Sequence, residues 1–443
     1  MRIDRLTVKN FKGLEEREFR FHPEFNLIVG KNGTGKTTLL DALAVAVGGW
    51  FLGLRGYDTR HIQAHEVRLM AIRATRKNTT DDRALSWEYQ YPCAVTAVGE
   101  IQGRPLSWKR TLNTPGGRTT YVDARSIKNL AEESDAAVRA GTPDLILPIV
   151  SYYGTGRLWD VPRNRTKLGN GTKHLTSKAK QSRFSGYLNS VDPRVSVTGL
   201  VNWFARQSWI AFQLKVDYSP GYMAVRGAIM ACIEGATDLY YDAARGEVIV
   251  EIEGQGKQPF GNLSDGQRSL LAMVGDLAQK MVALNPQLGK QALKATPGVV
   301  LVDELDLHLH PEWQRRLIED LRTVFPMVQF FASTHSPFLI QSLRSGEELL
   351  MLEGSPTAQL ANKNPTEIAA GIMGVDHPEV SERYLEMKDS AKTYLEILEK
   401  TAKSPKSKLA AFKRELAKAK TTFADNPAFQ AFLEMKRAST LGE

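Results

Sequence analysis

Single apolar residues at Ile3, Leu6 and Val8 alternate with charged ones, the pattern of a strand with one buried face. Arg17 to Phe21 reads as a second strand, and Phe25 to Val29 as a third, more apolar one that runs into glycine-rich sequence. From Lys36 the period lengthens, with Leu39, Leu40, Leu43 and Val47 at helical spacing until Gly48 and Gly49 end the run. The alternation from Ser86 to Leu112 predicts an antiparallel meander, Asp123 to Ala140 a helix, and Leu145 to Tyr152 a buried strand opening into Gly154 and Gly156. Two helical stretches follow between Val195 and Glu234, and their aromatic residues are expected to fill a helical subdomain. Strands are expected at Asp238 to Tyr241 and Glu247 to Glu253. After them come a helix from Asp265, a strand at Val299 to Val302, a helix from Pro311, a strand at Met327 to Ala332 and a helix from Ser336. Such alternation predicts an α/β fold. From Asp376 the chain reads as helical and lysine-rich, broken at Pro405.

The length of 443 residues suits two to four structural units. No apolar run is long enough to span a bilayer, and MRIDRLTVKNFKG lacks the apolar stretch of a secretory leader, so a cytoplasmic location is expected. Cys93 and Cys232 stand far apart without CxxC spacing, which argues against a disulfide framework or a four-cysteine zinc site. The net charge of +9 is local. Residues 157–183 and 400–420 each carry a net +7, so the rest of the chain is net −5. These two stretches are therefore the candidate nucleic-acid or partner contacts; in the second, Leu409, Phe412 and Leu416 form an apolar stripe that also suits a solvated helix face.

Four segments carry chemistry. Gly30 to Thr37 is a complete GxxxxGKT placed between an apolar strand and a helix. Gly30, Asn32, Gly33, Thr34, Gly35, Lys36, Thr37 and Thr38 are its candidate polyphosphate contacts, with Lys36 reaching the β and γ phosphates and Thr37 ligating Mg²⁺. Downstream, VVLVDE ends an apolar strand in Asp303 and Glu304. Asp303 suits a metal-holding role and Glu304 the general base that aligns or deprotonates water. In LSDGQ, Ser264, Gly266 and Gln267 open a helix whose N-terminus suits phosphate, although Ser264 before Asp265 is also good capping sequence. ASTHSP ends a strand at His335, where an imidazole would touch the γ phosphate or the attacking water. His308 and His310 lack a third ligand at useful spacing, which favours loop packing over metal binding. Arg157, heading the first basic stretch, is open to two readings: a surface arginine, or a finger reaching a phosphate across an interface.

In this order the segments resemble the P-loop, ABC-type ATPase heads of the RecF, OLD and SMC group: NFKGL at their opening, GKNGTGKTTLLDAL as Walker A, LSDGQ as signature, VVLVDE as Walker B and ASTHSP as the switch-histidine region. The resemblance implies ATP and Mg²⁺ as cofactors and Lys36, Glu304 and His335 as catalytic residues. It also implies a homo-oligomer in which the signature of one copy completes the site held by Walker A of another. Three departures stand out. SYYGTGR holds no Q-loop glutamine, His310 occupies the D-loop aspartate position, and no heptad run long enough for an SMC arm occurs. No DxD follows Glu353, so the nuclease domain of OLD proteins is not expected.

LVDELDLHLHPEWQRRL, FPMVQFFASTHSPFLIQSL and NPAFQAFLEMKRASTLGE look most like stand-alone anti-phage ATPases of the Septu PtuA type, which implies a separate HNH endonuclease as partner. On this reading residues 1–157 are the N-terminal half of the head with its antiparallel subdomain, and 158–236 a basic loop and helical insertion. Residues 237–375 complete the head with signature, Walker B and switch histidine, and 376–443 form a C-terminal helical region for partner contact or oligomerisation. The alternative is a RecF-like repair ATPase that binds DNA itself.

Overall fold

The computed structural model describes residues 1–73, 85–157, 182–194, 197–353, 363–402 and 427–441. Most of both basic stretches, including Pro405, therefore lies outside the described residues. The chain divides into two compact units, Met1–Ile368 and Ala369–Glu443.

The first unit is built on a five-stranded parallel sheet, ordered β14-β3-β13-β12-β8. Its strands are β3 (Phe25–Val29), β8 (Ile149–Tyr153), β12 (Gly298–Val302), β13 (Val328–Ser333) and β14 (Leu349–Met351). The first four are buried at every position, which explains why they read as predominantly apolar segments, although Asn26, Ser151, Gln329 and Ser333 are buried with them. The expected strand from Leu145 is shorter, because extended pairing begins only where β8 meets β12 at Ile149.

A four-stranded antiparallel sheet, ordered β2-β1-β6-β7, contains β1 (Arg2–Phe11), β2 (Leu14–Arg20), β6 (Cys93–Ile101) and β7 (Arg104–Leu112). Helix α1 (Lys36–Val47) touches β1, β6 and β7 of this sheet and β12 and β13 of the parallel one. Covered on both sides, it buries Ala42, Ala44, Val45 and Ala46 as well as the leucines of the expected stripe. The expected meander from Ser86 breaks: β5 (Leu85–Tyr89) leaves the β6 ladder and pairs with β4 (Leu69–Arg73). Helix α2 (Arg125–Arg139) buries Ile127, Leu130 and Ala131.

The next helical pair is α3 (Val197–Leu214) and α4 (Pro220–Cys232). Phe204 and Tyr222 fill its core as expected, whereas Trp209 and Phe212 stay 63% and 77% exposed. Strands β9 (Ala236–Asp242), β10 (Glu247–Ile252) and β11 (Gly256–Pro259) make a small antiparallel sheet. β11, with the sequence GKQP, has no apolar alternation to announce it. Helix α5 (Asp265–Leu284) runs through the interior, with Leu270, Leu271, Val274, Leu277 and Met281 among its buried side chains.

The remaining helices of the unit are a short α6 (Ala292–Ala295), α7 (Pro311–Val324), α8 (Pro337–Gln341) and α9 (Pro365–Gly371), the last running on past Ile368. In the second unit, α10 (Glu382–Ala402) and α11 (Pro427–Leu441) meet around Tyr394, Leu398, Phe429 and Leu433.

Candidate active site

The sheet order places β13 between β3 and β12, so the segments leaving their C-terminal ends converge on one edge although about 270 residues separate β3 from β12 in sequence. Residues 30–35 leave β3 as a loop ending at Gly35, whose φ of 102° is open to glycine and costly for other residues. A Cβ at Gly30 would stand 2.5 Å from the Thr34 hydroxyl, so the loop curls only because both positions lack side chains. Asn32 and Gly33 form its exposed crest, and Thr38 is half-buried in the first turn of α1. Lys36 is 9% exposed and folds back into the loop: its Nζ donates to Gly30 O at 2.7 Å and Lys31 O at 3.2 Å. Burial pulls the Lys36 ammonium below its ordinary pKa, and the carboxylates of Asp303, Glu304 and Asp306 pull the other way.

The Thr37 hydroxyl donates to Asp303 Oδ2 at 3.0 Å, while the Ser333 hydroxyl donates to Asp303 Oδ1. The same Ser333 oxygen accepts from the Glu304 amide at 2.8 Å, and Leu305 N donates to Ser333 O at 2.9 Å. Glu304 has a φ of 49°, an uncommon conformation for a residue with a Cβ. Asp306 binds the next loop, accepting from the Thr334 hydroxyl and, at 3.3 Å, from the His335 amide. His335 is exposed at the same edge.

Sequence reasoning missed Ser333 and Asp306, since their roles arise from strands that become neighbours only in the sheet. Arg157 is corrected. It is 2% exposed and held by groups of its own chain, neither a surface arginine nor a side chain free to reach outward.

The signature segment takes a different form. Ser264 caps α5, accepting from Gln267 N at 3.3 Å and donating to Gln267 Oε1 at 3.1 Å, while Gln267 Oε1 also accepts from Ser264 N at 3.0 Å. This is a capping box. Ser264 is nevertheless exposed, so the helix N-terminus faces outward. Gly266 is required by close approach: a Cβ there would lie 2.4 Å from His308 O. His310 caps α7, its Nδ1 accepting from Glu312 N at 3.4 Å, and among the described residues no three or more His, Cys, Asp or Glu side chains cluster as a metal site.

The donor set fits the expected cofactors. One carboxylate and one hydroxyl, side by side at Asp303 and Thr37, suit Mg²⁺, which takes few protein oxygens and completes its shell with water and phosphate. Lys36, resting on two loop carbonyls, is placed to exchange them for phosphate oxygens.

A family described as "AAA domain" matches residues 5–197, and one described as "AAA domain, putative AbiEii toxin, Type IV TA system" matches residues 123–341. The "Retron Vc95 probable ATPase" of Vibrio cholerae serotype O1 biovar El Tor is 38% identical over 430 aligned positions, covering 84% of this chain and 78% of that protein. The chain belongs to the retron ATPase family. The "Retron Ec83 probable ATPase" of Escherichia coli is 25% identical over 80% of the chain and 72% of its own length. The Septu protein PtuA of Bacillus thuringiensis is 21% identical over 91% and 89%. This retron-family protein is thus an ATPase related to Septu PtuA, with a mixed α/β fold built on a parallel sheet. Among the described residues no helix is long and apolar enough to cross a membrane.

Proposed function

We propose that this ATPase is a nucleotide-driven switch whose copies complete one another's sites, and that it regulates a partner HNH nuclease in cytoplasmic defence against phage. The observation that carries the reading is the junction at Ser333. One hydroxyl ties the candidate metal carboxylate, Asp303, to the amide of the candidate base, Glu304, beside Thr37 of the phosphate loop. The relatives named for Septu and retrons support the defence setting.

On this reading Lys36 and the amides of residues 30–37 bind the β and γ phosphates, and bound Mg²⁺ supplies charge neutralisation on those oxygens. Glu304 accepts a proton from the attacking water, and His335 contacts the γ phosphate or that water. Ser264, with the α5 N-terminus behind it, seats on the phosphates held by a second copy. Nucleotide then joins two heads, and hydrolysis releases them.

Two substitutions test the cycle. Glu304→Gln should bind ATP and accumulate an oligomer by size-exclusion chromatography with light scattering, whereas Lys36→Ala should weaken ATP binding by about tenfold or more. Identical oligomers for wild type and Glu304→Gln, with and without ATP, would rule out the joining step.

A further inference from the structure

We propose that Arg157 is a positioning residue for hydrolysis, linking the signature helix α5 to the backbone that carries Glu304. The inference rests on the reading of Glu304 as the base.

The Arg157 guanidinium spans three segments. Its Nε donates to Ser269 Oγ at 2.8 Å, Nη1 to Gly154 O at 3.2 Å and to Asp303 O at 2.9 Å, and Nη2 to Glu304 O at 3.0 Å. Burial depresses its pKa to about 10, which leaves it charged at neutral pH. Among the described residues it makes no ion pair with a carboxylate within 4 Å. A buried charge is costly without compensation, so a guanidinium satisfied by carbonyls and one hydroxyl is an uneconomical way merely to fill space. Its planar fork is suited to gripping two successive carbonyls at once, which a lysine ammonium matches poorly.

Those carbonyls belong to the residues whose side chains do the chemistry. Glu304 sits at a φ of 49°, a conformation that strains a residue with a Cβ. Its amide is held by Ser333 and its carbonyl by Arg157, so the peptide planes on both sides of its Cα are fixed. Those planes set the direction in which the Glu304 side chain leaves the backbone. At the other end of the guanidinium, Ser269 lies on α5 five residues beyond Ser264. A displacement of the α5 N-terminus as Ser264 engages a second copy's nucleotide would move Ser269 and act on Glu304 through this one side chain. Arg157 thereby performs, inside its own chain, a coupling for which SYYGTGR offers no glutamine.

The test uses the full chain and measures three quantities for each variant: ATP turnover at saturation, equilibrium affinity for a fluorescent ATP analogue, and the thermal unfolding midpoint. Arg157→Lys should lower kcat by about tenfold or more while the affinity stays within about threefold, since a small misplacement of a catalytic group acts on rate. Ser269→Ala, a milder change, should lower kcat by about threefold. The double variant should be no slower than Arg157→Lys alone, because both act along one route. Three results would overturn the proposal: kcat within twofold of wild type in Arg157→Lys, rate and affinity falling together with a lowered midpoint, or losses that multiply in the double variant. If Arg157→Lys fails to fold, Ser269→Ala decides the matter by the same split of rate from affinity. Glu304→Gln serves as the reference. Full turnover in that variant removes the reading of the base, which is a different failure from an active Arg157→Lys beside an inactive Glu304→Gln.

Discussion

One hydroxyl at Ser333 serves both a carboxylate and an amide, so its removal should disturb Asp303 and Glu304 together. Ser333→Ala leaves the Glu304 amide and one Asp303 oxygen without their partner in a buried setting. The expected outcome is a fall in kcat of about tenfold to a hundredfold with ATP affinity nearly unchanged, read by steady-state turnover beside nucleotide titration. Lys36 contrasts with it. Its bonds run to the loop's own carbonyls, so Lys36→Ala should act on binding first. Both residues lie in recognisable motifs, yet only Lys36 is legible from its motif. Spacing within GxxxxGKT implies a lysine on phosphate, whereas nothing in ASTHSP says that its serine faces the end of a strand about 30 residues earlier.

At the scale of elements, the start of α5 has two jobs. It presents Ser264 outward, and it packs its first turn against the loop after β12. The contact is so close at Gly266 that a methyl group would meet His308 O, whose residue already sits at a φ of 62°. Gly266→Ala should therefore destabilise the nucleotide-free chain by about 1–3 kcal/mol, measured as a lowered thermal midpoint without ATP. If the glycine mattered only to a second copy, that midpoint would not move. The family resemblance assigns Gly266 to the interface, and the fold adds a requirement within the chain. Helix α1 shows a related limit of pattern reading. A stripe of leucines predicts one buried face, but a helix lying between two sheets buries its alanines too, and small side chains are what allow both sheets to approach.

Over the whole molecule, the net charge of +9 is carried by 157–183 and 400–420, while the rest is mildly acidic. A switch that delegates nucleic-acid chemistry to a partner should bind duplex DNA weakly on its own, and fluorescence anisotropy at increasing salt checks this. Tight binding that falls steeply with salt would imply several phosphate contacts and favour a RecF-like role. The sequence by itself determined the order of the strands and helices of the α/β core apart from the edge strand β14, the phosphate loop, the acidic strand end and the kinship that goes with them. These follow from local periodicity and from motifs whose chemistry is contained in a few adjacent residues. Only the tertiary structure decided that β5 pairs with β4, that Ser333 joins Asp303 to Glu304, and that Arg157 turns inward to hold the same backbone. Each of those depends on which strands become neighbours in a sheet, and strand adjacency is set by the packing of the entire core.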